Sequence, residues 1–205
     1  MPDWTAFSGL AHELGIAVDQ VALTALAEYL DELLRWRKAV NLVGPAEPQR
    51  IVDELLADAL PLATVLTPQQ TLLDVGAGAG LPGLVVASIR ADVSIDLWEP
   101  RARRAAFLRA ATQRLRLANV RTSERRLEAG QAKLPFDVLS ARAVWPPHEW
   151  LELATGAARP GALVAVHIGM ASPPQPPAGL TLEKQLPYRL PGDPAPRLLV
   201  LYRRA

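Results

Sequence analysis

An aspartate two residues ahead of three alternating glycines, followed about 20 residues later by a glutamate, carries the most chemical content in this 205-residue chain. The residues are Asp74, Gly76, Gly78, Gly80 and Glu99, and the run continues as Leu81-Pro82-Gly83. Leu72, Leu73 and Val75 frame a short apolar strand that feeds the glycines. Glycine lacks a Cβ, so this turn, with Ala77 inside it, lets backbone approach a ligand closely, and the helix start beyond it offers unpaired amides. A carboxylate at the end of the next strand, Glu99, can accept both hydroxyls of a ribose. The chemistry implied is the binding of a nucleoside cofactor.

Two cofactor classes compete for this turn. Gly78, Gly80 and Gly83 satisfy the G-x-G-x-x-G spacing of a dinucleotide site, but that frame starts two residues late. Counted from Gly76, the third glycine would fall on Leu81. Asp74 is also poor company for a pyrophosphate, whereas a carboxylate favours the positive charge of a sulfonium amino acid, directly or through water. The turn therefore points to S-adenosylmethionine.

Several elements must position these residues. Helical spacing of Val21, Ala25, Leu26, Tyr29, Leu30, Leu33 and Leu34 behind a potential N-cap, Asp19, predicts a long helix. A second helix is predicted over 51–62, with Ile51, Leu55, Leu56, Ala59 and Leu60 facing inward. Gly44, Pro45 and Pro48 break the chain between them. Strands are expected at 71–75, 94–98, 119–123, 136–140 and 162–167, with helices at 84–89, 102–117 and 149–158. Such alternation predicts an α/β fold with a mostly parallel, doubly wound, Rossmann-like sheet and ligands at the carboxyl ends of its strands. Segments 182–189 and 197–202 flank Pro191-Gly192-Asp193-Pro194 as a closing antiparallel hairpin, as in class I methyltransferases. The expected organisation is one domain, with residues 1–65 as an N-terminal helical cap and 66–205 as the core.

Composition narrows the function. Hydrophobic residues make up 50% of the chain, ample for a core, and the absence of cysteine excludes thiolate metal sites and a cysteine nucleophile. The N-terminus lacks the pattern of a signal peptide, and prolines, glycines and His167 interrupt the uncharged stretch 160–182. A cytoplasmic protein, a monomer with neither membrane nor metal partners, is expected. The net charge of +1 conceals an asymmetry, because 101–126 holds nine arginines and one acid, Glu124, leaving 13 basic and 20 acidic residues elsewhere. A segment of charge +8 on an otherwise acidic chain suggests a polyanion such as RNA, with Arg101, Arg103, Arg104, Arg109 and Arg126 as contacts. The alternative is a solvated helix face on which Arg104 and Arg114 snorkel past their apolar neighbours.

No general base is evident. Where amino-group methylation uses an Asn/Asp-Pro-Pro-aromatic turn after the fourth strand, the chain has Ser140-Ala141-Arg142-Ala143, and Trp145-Pro146-Pro147 lies too far along and reads as a loop. A ring nitrogen such as guanine N7 presents a lone pair and needs only alignment. Arg142, at the mouth of the site, is a positioning candidate, and so are His167 and Asn41.

The sequence resembles the bacterial small-subunit ribosomal RNA guanine-N7 methyltransferase family, also called glucose-inhibited division protein B, over nearly its whole length. The resemblance rests on Leu34-Arg35-Trp36, Asn41-Leu42, Asp58, the run from Asp74 to Gly83, Arg103-Arg104, Phe107-Leu108, Arg126 to Glu128, Phe136-Asp137, Arg142-Ala143 and Arg197 to Val200. It implies methyl transfer from S-adenosylmethionine to 16S ribosomal RNA or the small ribosomal subunit, with Gly76, Leu81, Leu127, Glu128 and Arg142 at the cofactor. Four positions depart from the family: Val43 for threonine, Leu55 for histidine, His167-Ile168 before a glycine where lysine is usual, and Val144 for an aromatic. They lie toward the substrate side, so a non-catalytic RNA-binding or assembly protein and a methyltransferase with another target stand as alternatives.

Overall fold

The computed structural model describes residues 2–37, 39–44, 47–169 and 172–205, and of Pro194 only the backbone. Of the breakers expected between the first two helices, Pro45 lies outside the described residues.

An N-terminal helix, α1 (Thr5–Glu13), precedes the predicted long one and packs Phe7, Leu10 and Ala11 into the core. Its sequence carries too weak a period to announce it. Asp19 caps α2 (Gln20–Trp36) by accepting a 2.8 Å hydrogen bond from the Ala22 amide. One face of α2, with Leu26, Tyr29, Leu30 and Leu33, is buried.

The region predicted as one helix over 51–62 is instead three short pieces that follow a single helical turn. After α3 (Pro48–Arg50) come a π-helical turn (Ile51–Leu56), a 3-10 turn (Ala57–Ala59) and α4 (Leu60–Val65). Widening and then tightening the helix rotates side chains away from a constant 100° step. The rotation leaves Leu55 half-buried and seals the carboxylate of Asp58 inside.

Seven strands form one sheet in the order β3-β2-β1-β4-β5-β7-β6. These are β1 (Thr71–Val75), β2 (Ser94–Trp98), β3 (Val120–Ser123), β4 (Val138–Ala141), β5 (Leu163–Ile168), β6 (Leu180–Leu190) and β7 (Asp193–Arg204). The first five are parallel, and β7 runs antiparallel to both β5 and β6, so the expected closing hairpin forms the far edge. Three helices complete the alternation: α5 (Gly83–Ile89), α6 (Ala102–Arg114) and α7 (Pro147–Ala157). One sheet face, bearing Leu72, Leu97, Val138, Ala165 and Leu201, packs with the N-terminal layer, α5 and α6. The other, bearing Leu73, Val75, Leu139, Val164 and Tyr202, packs against Trp150, Leu151 and Ala154 of α7. Strand order reverses between β1 and β4, which opens a crevice at their carboxyl ends.

Candidate active site

The glycine turn is anchored on three sides. Gly76, Gly78 and Gly80 take φ of +69°, +55° and +83°, left-handed conformations that favour glycine. The Gly76 and Ala77 amides donate to the Trp98 carbonyl at the end of β2, at 2.7 and 3.0 Å. Glu99, 3% exposed, accepts from the Gly78 amide through Oε2 (3.0 Å) and from the Arg101 amide through Oε1 (2.9 Å). From the N-terminal layer the Tyr29 hydroxyl donates to the Ala79 carbonyl. Asp74 closes the run by accepting from the Gly83 amide at 2.9 Å. A carboxylate therefore occupies the start of α5, where a dinucleotide site would seat its pyrophosphate, and the late G-x-G-x-x-G frame is not a phosphate cradle.

Beside the turn lies a cleft of about 590 Å³. Gly76, Ala77, Gly78, Leu81, Glu99 and Leu127 line one side, and Arg101, Arg104, Arg125 and Arg126 stand around it. The Arg125 guanidinium lies 4.3 Å from the Trp98 ring centroid, a cation–π contact that fixes it there. Arg104 donates to the Asn41 carbonyl at 2.9 Å, tying α6 to the chain leaving α2. The opposite side is made by Leu42, Val43 and Leu55 of the N-terminal layer and by Arg142, Val144 and Trp145 after β4. Ala143, between them, holds φ of +55°, a strained conformation for a residue with a Cβ.

Asp58 organises this second side. It is 2% exposed, and its Oδ2 lies 2.8 Å from Arg142 Nε. The Tyr188 hydroxyl donates to its Oδ1 at 2.7 Å, and Arg197 Nη1 is 3.7 Å away. Burial raises the Tyr188 hydroxyl above its ordinary pKa and lowers His167 from 6.5 to about 4. Both ring nitrogens of the neutral imidazole are buried, and neither is hydrogen-bonded.

A family model for GidB, rRNA small subunit methyltransferase G, matches residues 22–170. This chain belongs to that family. It is 33% identical over 201 residues to "Ribosomal RNA small subunit methyltransferase G" of Chromohalobacter salexigens, covering 97% of this chain and 95% of the relative. With the protein of the same name from Xanthomonas euvesicatoria it shares 32% over 194 residues, 92% of this chain and 90% of the other. The match to the Dichelobacter nodosus protein, 37% over 134 residues, takes in 65% of this chain and spans just under two thirds of that relative, 64%. A SAM dependent methyltransferase from Aquifex aeolicus shares the fold at TM-score 0.53 and 17% identity, with 78% of this chain and 94% of that one covered.

S-adenosylmethionine is the cofactor that the glycine turn and the methyltransferase family both imply. The site fits this group: a Cβ at Gly78 would lie 3.6, 3.7 and 4.0 Å from Gly76 O, Arg104 Nη1 and Glu99 Oε2, ordinary contact distances, so the backbone there faces open space beside that carboxylate, and its φ of +55° favours glycine. Of the residues expected at the cofactor, Gly76, Ala77, Gly78, Leu81, Glu99, Leu127 and Arg142 come together around the cleft. Three do not. Asp74 is 1% exposed, spends one oxygen on Gly83 and has the other buried without a partner, so it braces the turn from behind. Burial is also why its pKa rises from 3.8 to about 7. Gly80 faces Leu84 and Leu108, and Glu128 is exposed, its amide donating to Gln131 at 3.3 Å.

Among the positioning candidates, only Arg142 reaches the cleft; His167 is half-buried and does not line it, and Asn41 contributes its backbone while its side chain is exposed. Of the predicted RNA contacts, Arg101, Arg104 and Arg126 line the cleft, Arg103 is exposed away from it, and Arg109 pairs with Glu124 at 2.8 Å. Arg125 and Trp145 were missed. The sequence signal for Arg125 was its place beside Arg126, and for Trp145 its place soon after the fourth strand.

Proposed function

We propose that this protein transfers a methyl group from S-adenosylmethionine to guanine N7 of small-subunit ribosomal RNA, acting as a single catalytic unit, a monomer, in the cytoplasm. The observation that carries this reading is one cleft with a glycine turn and Glu99 on one side, Arg142 on the other, and arginines around it. In this assignment Gly76, Ala77, Gly78, Leu81 and Leu127 hold the donor, and Glu99 receives its ribose. Arg142 reaches it from the end of β4, fixed by Asp58, and Arg101, Arg104, Arg125 and Arg126 take RNA phosphates. The cofactor supplies an electrophilic methyl on a sulfonium. Guanine N7 would bring its own lone pair to that methyl, with the sulfur–carbon bonding pair left on sulfur, so no proton would have to be removed. The task of the residues around the cleft is to align the base and exclude water, which requires no general base.

The test is labelled-methyl transfer to isolated small subunits by the purified protein, together with a map of N7-methylguanosine in ribosomal RNA from cells with and without it. One methylated guanine lost from the deficient cells is expected. An unchanged map and no transfer would overturn the proposal. Gly78→Val fills the donor corner and should abolish donor binding in calorimetry; wild-type affinity would mean the donor sits elsewhere.

A further inference from the structure

The chain leaving β4 crosses in front of the glycine turn. A Cβ on Gly76 would come within 2.6 Å of Val144 Cγ2, so the next residue, Trp145, stands at the margin of the cleft beside the donor corner. Trp145 is only half-buried, and its ring is stacked on Trp150, with centroids 5.9 Å apart and planes 12° from parallel. Trp150 is itself immobilised: it is 2% exposed and its indole N–H donates to the Ala165 carbonyl at 2.9 Å. Pro146 and Pro147 follow directly and stiffen the entry to α7. The result is an aromatic ring held in place before any ligand arrives, in a cleft otherwise flanked by guanidinium groups.

Trp145 packs on the apolar cluster of the α7 face and also lines the cleft. A flat, pre-positioned indole next to phosphate-binding arginines has the chemistry of a base-stacking platform, since every nucleobase offers a π-face. The deep, narrow major groove of A-form RNA keeps guanine N7 away from a donor held inside a protein, so a base turned out of its strand is the accessible substrate, and enzymes acting on bases receive them against aromatic side chains. We propose that Trp145 stacks on the acceptor base, a purine turned out of its RNA strand, and holds it at the donor corner. This assignment rests on the RNA methyltransferase reading and names the side chain that receives its substrate.

Trp145→Ala and Trp145→Phe test it, with donor affinity measured by calorimetry and kcat and KM measured on small-subunit RNA. Base–aromatic stacking is worth about 1–3 kcal/mol, so Trp145→Ala should lower kcat/KM for RNA by roughly five- to one-hundred-and-fifty-fold. Donor affinity should stay within about twofold, and Trp145→Phe should restore most of the transfer. In the unaltered protein a guanine-containing hexaribonucleotide should quench indole fluorescence, and that quench should shrink in Trp145→Phe. Unchanged transfer by Trp145→Ala would overturn the assignment. So would a joint fall in donor affinity and thermal stability of Trp145→Ala together with no RNA-dependent quench in the unaltered protein, because that pattern marks packing against Trp150. If the unaltered protein neither binds RNA nor transfers methyl to it, the parent reading fails first.

Discussion

The wall of the cleft at the ends of β1 and β2 is backbone held by backbone and two carboxylates, whereas the wall after β4 is mostly apolar side chains, with Arg142 held among them by the buried carboxylate of Asp58. On the first, every anchor of the glycine turn except Tyr29 comes from residues 74–99. On the second, Asp58 gathers Arg142, Tyr188 and Arg197 from β4, β6 and β7. The difference separates two tasks. A turn that serves a cofactor can be compact and local, while the opposite wall is assembled from distant segments.

The comparison breaks most readily at Asp58. Removing a buried carboxylate from its partners strands their charges, at a cost of about 3–5 kcal/mol. Asp58→Ala should therefore lower stability in urea by that much, with Asp58→Asn, which keeps an acceptor for Tyr188, losing less. A wild-type unfolding midpoint for Asp58→Ala would mean that this wall does not depend on its central charge. A smaller effect is expected within the turn. A Cβ on Gly80 would meet Leu84 Cδ1 at 2.4 Å, so Gly80→Ala should cost about 1–3 kcal/mol in overpacking plus about 1 kcal/mol for the left-handed backbone. Gly78→Ala meets nothing nearer than 3.6 Å and should cost only the backbone part. It should instead weaken donor binding, so equal destabilisation by the two variants would erase the distinction between the packed and ligand-facing glycines.

The same difference governs what could be read from sequence. β1 and β2 were legible to the residue because an apolar strand ending in a glycine or an acid is a local pattern, and Glu99 was found by its place at a strand end. Asp74 was found too, but its direction was not: a charge before a glycine turn is equally compatible with facing the ligand or with bracing the next helix. Helical periodicity over 51–62 could not foresee the π and 3-10 turns, since both preserve apolar residues while changing which side chain points inward. Asp58 and Tyr188 are 130 positions apart, and no spacing rule joins them. Arg125 and Trp145 carry only a weak local signal for a related reason, as each is held at the cleft by resting on an aromatic ring, Trp98 or Trp150.

Protonation separates Asp74 from His167 by a slope with pH rather than by a fixed offset. Asp74 and His167 sit at the carboxyl ends of β1 and β5, and burial moves them in opposite directions. For Asp74, burial dominates over the opposing Gly83 amide and Arg142, with Glu99 adding to the rise from 3.8 to about 7. The folded state then keeps a proton that the unfolded chain has lost, so the contribution is complete below pH 3.8 and disappears as pH rises through 7. For His167, burial dominates with Arg142 acting alike and Asp58 opposing, and the folded state refuses a proton that the unfolded chain accepts. Its contribution is complete above pH 6.5 and is lost as pH falls through 4. Each slope is limited to about 1.4 kcal/mol per pH unit, and between pH 4 and 6.5 they oppose. Relative to the unaltered protein, Asp74→Asn should lose stability on acidification across that window, and His167→Gln should gain it. Urea midpoints for both variants that track the unaltered protein throughout would mean that neither group is shielded from water as the sheet face implies.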